Sequence, residues 1–269
     1  MTTSTTSISP PSSDEPCLLI ETRSQGHVLV LTLNRPHAKN SFNAALSQAL
    51  SDAIDQFDAD PALRVAVLTG AGGSFSAGMD LKALLKGEQS ATTKRGGFGI
   101  MARPPEKPLI AAIEGYAVAG GMELALCADL IVASETSKFG LPEVKRGLVA
   151  VGGGLVRLPT RIPYHVVMEL ALTGDLVPAQ RLHELGLISR IVRQGEALNG
   201  AIELAEHIAS NAPLALTATK QILSKARDWT EAEAWGEQRK LARTALMSQD
   251  AKEGARAFAE KRAPVWRGQ

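Results

Sequence analysis

Leu109-Ile110-Ala111-Ala112-Ile113-Glu114-Gly115-Tyr116-Ala117-Val118-Ala119-Gly120-Gly121-Met122-Glu123 passes from an uninterrupted apolar run, through small residues, into the start of a helical pattern. The apolar run has the length and bulk of a buried strand, Gly121 to Ala128 has helical spacing, and Leu130 to Ala133 is a second buried strand. Strand, helix and strand in close succession set an α/β architecture. Gly120 falls at the helix N-terminus, where unpaired N–H groups and the helix dipole favour negative charge. It is either an oxyanion donor or a residue small enough for helix to pack on strand. Glu123, in the first helical turn, is either a solvated carboxylate favoured by the dipole or a catalytic one.

The same alternation extends outward on both sides. Cys17 to Arg23 and His27 to Leu33 alternate apolar and polar residues around Gln25-Gly26, which predicts a hairpin that Asn34-Arg35-Pro36 ends. Asn43 to Phe57 has helical spacing, Asp60-Pro61 stops it, and Val65 to Leu68 is a strand. Gly70-Ala71-Gly72-Gly73-Ser74-Phe75-Ser76-Ala77-Gly78-Met79-Asp80-Leu81 follows, a glycine-rich turn that would let backbone N–H groups approach a ligand. The alternative is an ordinary tight connection. The turn has neither the GxGxxG of dinucleotide sites nor the Gly-Lys-Ser/Thr of a phosphate loop. Past residue 163 the pattern is almost wholly helical: Ala201 to Ala209, Pro213 to Ala226, Glu231 to Met247 and Asp250 to Arg262, with one strand from Leu187 to Val192.

A second acid, Glu143, follows Phe139-Gly140-Leu141-Pro142. It can cap the next segment or join Glu123, and two converging carboxylates can take one proton while delivering another. Other chemistries lack their residues. The histidines His27, His37, His165, His183 and His207 have no ligand spacing, so no metal is expected. Ser74 and Ser76 lack a nucleophile elbow. Cys17 and Cys127 read as reduced thiols of a cytosolic protein, with Cys127 packing as a small hydrophobe.

Of 269 residues, 45% are hydrophobic and 4% aromatic, enough for a sizeable aliphatic core. With 29 basic and 28 acidic residues, no global field recruits nucleic acid or an anionic membrane. No apolar run is long enough to span a bilayer. Residues 1–16, rich in Ser, Thr and Pro, read as a disordered tail. Lys94-Arg95 beside Gly96-Gly97-Phe98-Gly99 reads as a mobile solvated loop or a phosphate contact, within a flexible 84–101 lid.

Taken in order, Asn34-Arg35-Pro36-His37-Ala38-Lys39-Asn40, Ser76-Ala77-Gly78-Met79-Asp80-Leu81, Gly115 to Glu123, Phe139 to Glu143 and Leu172-Thr173-Gly174-Asp175 resemble the crotonase superfamily, typified by enoyl-CoA hydratase. The resemblance runs from about Leu18 to Trp266. It implies an α/β fold, a crotonase-like spiral of ββα units over residues 17–195, and a C-terminal helical trimerisation region over 196–269. A homo-trimer or hexamer follows by the same analogy. The implied substrate is an acyl-CoA thioester, with no cofactor beyond the coenzyme A that the substrate carries.

The resemblance implies that the N–H groups of Met79 and Gly120 bind the thioester oxygen. Glu143 would protonate the α-carbon, and Glu123 would orient and deprotonate water. Ala38, Lys39, Ser76, Gly78, Asp80, Leu81, Lys82, Tyr116, Pro142 and Val151 would line the acyl-CoA path, and Phe258 and Lys261 would reach the coenzyme A of an adjacent subunit. One departure stands out: where many hydratases have Gly-x-x-Pro-x-x-Gly-Gly, this chain has Gly147-Leu148-Val149-Ala150-Val151-Gly152-Gly153-Gly154, so Val151 is expected either to narrow the pocket or to alter how water is held. The expected activity is hydration of a 2-trans-enoyl-CoA. An isomerase or other enolate-forming enzyme needing one acid, and a non-catalytic acyl-CoA binder, are the alternatives.

Overall fold

A computed structural model describes residues 15–269, so the tail proposed for residues 1–16 lies outside the described residues up to residue 14. The first half contains β1 (Leu18–Arg23), β2 (Val28–Leu33), α1 (Ala44–Ala59), β3 (Val65–Gly70), α2 (Leu81–Leu85), β4 (Ala91–Thr92) and β5 (Gly96–Gly97). Then come β6 (Leu109–Ile113), β7 (Tyr116–Val118), α3 (Gly120–Ala125), β8 (Leu130–Ser134), β9 (Lys138–Gly140) and α4 (Gly154–Arg157). The chain closes with α5 (Tyr164–Thr173), β10 (Val177–Pro178), α6 (Ala179–Glu184), β11 (Arg190–Val192), α7 (Ala197–Ala209), α8 (Pro213–Lys225), α9 (Glu231–Leu246) and α10 (Gln249–Glu260).

The main sheet has the order β1-β2-β3-β6-β8-β11. Only the β1–β2 hairpin is antiparallel; every later pair is parallel, as connections through helices require. Parallel strands covered on both faces are apolar nearly throughout: β6 is wholly so, and β3 departs only at Thr69, whose hydroxyl donates to Ala112 O at 3.0 Å. Because successive side chains point to opposite faces, Leu29, Leu31, Leu33 and Leu68 join the core beneath α1, while Val28, Val30, Val65 and Val67 join the other. Ala201, Ala205 and Ala209 complete that second core, a stripe of small side chains at four-residue spacing that lets α7 lie close on the sheet. The first helix beyond residue 195 is thus a layer of the sheet domain.

A smaller sheet, β10-β9-β7, stands beside the first, and a bridge from Ser76 to Ala117 adds the glycine-rich turn to its edge. That juxtaposition brings the two loops singled out in the sequence together.

Three expectations change. The strand expected from Leu187 is shortened to Arg190–Val192 because Leu187 and Ile188 donate their N–H groups back to Leu182 O, closing the end of α6. The helix expected to reach Ala128 stops at Ala125, and a tight turn feeds Leu130 into the sheet. The lid expected over 84–101 is flexible neither in its second half nor at Arg95. Arg95 is 1% exposed and pairs with Asp55 at 2.8 Å and Asp58 at 2.9 Å. Phe98, Ile100 and Met101 are core residues, and Phe98 stacks on Phe42 at 4.3 Å. Arg95 therefore has no role at a phosphate. Lys94 is exposed and pairs with Asp55.

The helical region is strapped to the sheet. Asp250, buried at the start of α10, accepts the N–H groups of Arg267 and Gly268 at 2.8 Å. The Trp266 indole donates to Ser210 O, and Arg64 at the sheet end reaches both Ala209 O and Trp266 O.

Candidate active site

Gly78 takes φ 90°, and a Cβ there would lie 2.8 Å from the Gly120 nitrogen, so only glycine lets the two loops touch. Phe42 N–H donates to Gly78 O at 2.8 Å, and Asp80 N–H donates to Phe42 O at 2.9 Å. Met79 N–H lies between those two bonds. Among the described residues neither it nor Gly120 N–H has an acceptor. Gly120 opens α3 after Ala119, which holds φ 52° and ψ −131°, a conformation costly for a residue with a side chain. The ring of Phe98 lies under Gly120, 2.7 Å from where a Cβ would stand. Two adjacent, unpartnered N–H donors are thereby fixed from both sides.

Glu123 is 4% exposed, and its Oε1 accepts Gly154 N–H at 2.9 Å. Burial pushes its carboxyl above the ordinary glutamate range, against the opposing pull of the Gly154, Gly152 and Gly153 N–H groups and the Arg157 charge. Glu143 sits in the 3₁₀ turn Pro142–Arg146, half-buried, and its Oε2 is enclosed with no hydrogen-bond partner among the described residues. Burial raises Glu143 as well, and the charge of Glu123 adds to the rise. Two carboxyls near enough to feel each other, both shifted toward neutrality, can hold a proton on one while the other accepts one.

Glu143 is also the only charged residue on an apolar cavity of about 370 Å³, walled by Leu141, Ala150, Leu155, Tyr164 and Met168. Val149 and Ala150 form its edge. Val151 is 86% exposed and is not part of the cavity lining, so within this chain it does not narrow the cavity; Ala150, the residue before it, lines the wall.

The remaining positions fall into three groups. Ala38, Lys39, Met79, Leu81, Lys82 and Tyr116 are exposed or half-exposed around the two N–H donors, with Lys39 Nζ 5.7 Å over the Tyr116 ring. Ser76 is fully buried, donating to Asn40 O at 2.9 Å and accepting Gly78 N–H, so it shapes the turn from inside. Asp80 caps α2 and pairs with Arg35 at 2.9 Å, which commits its carboxylate to the fold. Pro142 starts the turn that carries Glu143. Phe258 is 89% exposed and Lys261 is exposed at the end of α10, so within one chain neither packs on the site. The clamp on Glu123 by Gly152 to Gly154 is not evident from the sequence, where that stretch reads only as a glycine run. Cys127 is buried, its thiol pushed up to about 11 by burial.

The sequence model of the family described as enoyl-CoA hydratase/isomerase matches residues 23–269. An enoyl-CoA hydratase of Mycobacterium tuberculosis is 43% identical over 256 residues, covering 93% of this chain and 96% of that protein. Carnitinyl-CoA dehydratase of Salmonella typhi is 43% identical over 251 residues, 90% of this chain and 96% of the relative. Among solved structures, an enoyl-CoA hydratase from Mycobacterium tuberculosis superposes with TM-score 0.92 at 58% identity, covering 95% of this chain and all of that one (100%). A carnitinyl-CoA hydratase from Mycobacterium avium has TM-score 0.75 at 41% identity, with coverage of 95% and 100%. A mixed α/β spiral with C-terminal helices, paired donors and paired acids, together with these likenesses, makes the chain a member of the enoyl-CoA hydratase/isomerase family within the crotonase superfamily.

Proposed function

We propose that this chain catalyses the reversible addition of water to a 2-trans-enoyl-CoA, giving a 3-hydroxyacyl-CoA. The observation that carries this reading is that one fold holds two free N–H donors, Met79 and Gly120, together with buried Glu123 and half-buried Glu143. The donors receive the thioester oxygen and stabilise the enolate that forms when water attacks the β-carbon. Removing one such donor costs about 2.7–4 kcal/mol of transition-state stabilisation. Glu123, held by the glycine loop, takes the proton of the attacking water. Glu143, whose Oε2 has no partner among the described residues, delivers a proton to the α-carbon. Run backward, the same groups dehydrate.

The rim residues Lys39 and Lys82 fit the phosphates of coenzyme A, with Ala38, Leu81 and Tyr116 beside them. Phe258 and Lys261 would act from a neighbouring subunit of a trimer or hexamer. The cavity at Glu143 suits an aliphatic acyl chain. A quaternary ammonium group calls for aromatic faces or carboxylates, and these walls supply only Tyr164 and Glu143.

The test is to follow loss of the conjugated-thioester absorbance with crotonyl-CoA and longer 2-trans-enoyl-CoAs, using wild type, Glu123→Gln and Glu143→Gln. Turnover that yields the 3-hydroxy product and collapses in both variants supports the reading. Activity that survives loss of one acid without forming a hydroxy product would move the chain to isomerase chemistry.

A further inference from the structure

Gly152, Gly153 and Gly154 run between two opposite charges. On one side, Gly154 N–H donates to Glu123 Oε1, and a Cβ on Gly152 would lie 2.6 Å from Glu123 Oε2. On the other, the Arg157 guanidinium donates from Nη1 to Gly152 O at 3.1 Å, and a Cβ on Gly153 would lie 2.1 Å from that same Nη1. Its second nitrogen, Nη2, donates to Met101 O at 2.5 Å. Met101 belongs to the segment whose Phe98 lies under Gly120. One planar fork thus ties the loop that clamps the water-activating acid to the segment that backs an oxyanion donor, with both bonds set by a rigid geometry that a lysine lacks.

We propose that Arg157 is a positioning residue for catalysis: by joining Gly152 O to Met101 O it fixes the glycine loop so that Glu123 faces the attacking water. The proposal rests on the hydratase reading above and assigns a residue that reading leaves without a role. No ion pair joins Arg157 to Glu123 among the described residues, so its effect runs through the loop and through its charge across it. The other titratable groups facing Glu123 are Glu143 from the 3₁₀ turn and Cys127 in the tight turn after α3; the Cys127 thiol donates to Glu123 O and stays neutral over the working range.

The experiment measures kcat, KM and the titration of the Glu123 carboxyl, the last by NMR of isotope-labelled glutamate, with the Glu123 signal assigned by its loss in Glu123→Gln. Arg157→Gln is expected to lower kcat by ~10²-fold, the effect of displacing a reacting group by about 1 Å, while KM stays within about threefold. The same variant raises the titration midpoint of Glu123, because a nearby positive charge is gone. Arg157→Lys restores the midpoint but only part of the rate. In a Glu123→Gln background, Arg157→Gln brings no further loss of kcat, since a residue that acts through Glu123 has nothing left to position.

An equal fractional loss in both backgrounds overturns the proposal, and so does an unmoved midpoint. If wild type hydrates no enoyl-CoA, the hydratase reading fails on its own, and the titration arm still decides whether Arg157 governs Glu123. Should Arg157→Gln not fold, Arg157→Lys carries the same test: a partial kcat loss that vanishes in the Glu123→Gln background supports the proposal, and one that persists overturns it.

Discussion

Replacing Gly152 by Ala puts one methyl group against the acid assigned to water activation. The added carbon would stand 2.6 Å from Glu123 Oε2 and 2.5 Å from Met101 Sδ, where ordinary contact begins at 3.4 Å. Glu123 cannot retreat freely, because Oε1 is held by Gly154 N–H and the side chain is buried. Relief requires moving Oε2 by roughly 0.8 Å, and displacements near 1 Å at a reacting group cost on the order of 10²-fold in rate. Overpacking costs about 1–3 kcal/mol of stability, and Met101 absorbs part of it as a flexible thioether. The assay is initial rate against crotonyl-CoA concentration, with thermal denaturation run in parallel. We expect kcat to fall by ~10²-fold, with folded protein at assay temperature and KM little changed. A folded variant with kcat near that of wild type would show that Glu123 does not depend on this packing, and the reasoning would fail.

Glu143→Gln should raise the melting temperature near neutral pH. Burial, then the Glu123 charge, lift the folded carboxyl above its unfolded value, so its contribution to stability is fully present below the unfolded pKa of about 4.3 and is lost as pH rises through the folded value. The gain of the Gln variant over wild type should therefore shrink as pH falls toward about 4; a gain that grows on acidification contradicts this. Arg95→Met takes the buried guanidinium away from two carboxylates at 26% and 15% side-chain exposure, leaving Asp55 only the exposed Lys94 as an ion-pair partner. Fully buried pairs lose 3–5 kcal/mol on such a change, so about 2–4 kcal/mol is expected here after allowing for solvent at Asp55 and Asp58, read from the urea midpoint. Phe98→Ala removes the ring stacked on Phe42 and backing Gly120, at a cost of about 3–5 kcal/mol, with kcat falling at fixed thioester affinity because the donor loses its support. An unchanged melting temperature would refute the core assignment of that segment.

Strand and helix identity was legible wherever a single element was self-sufficient. Leu109 to Ile113 is apolar at every position because both faces are covered, and Asn43 stands before its helix because its side chain accepts Leu46 N–H. Glu123 and Glu143 were legible as acids beside glycine-rich turns. Arg95 was not. Its partners lie some forty residues earlier in α1, and nothing local distinguishes a buried ionic hub from a solvated loop charge. Phe98 was hidden for the same reason, since its stacking on Phe42 exists only after the chain has closed. Arg157 escaped notice because its significance lies in two backbone carbonyls, which carry no residue identity to read.

The strap that returns residues 266–269 to Asp250 gives the helical region a footing at both ends. α8 leaves the sheet domain just after α7, and the strap ties the start of α10 back to Arg64 and Ser210 beside that same departure point. A closed loop of chain cannot swing out as a free arm. Opening it means breaking the Asp250 and Trp266 contacts together, so amide hydrogen exchange along the first turn of α10 should follow that of the sheet end as one cooperative unit. The face that carries Phe258 is then held at a set distance from the paired acids within a single chain.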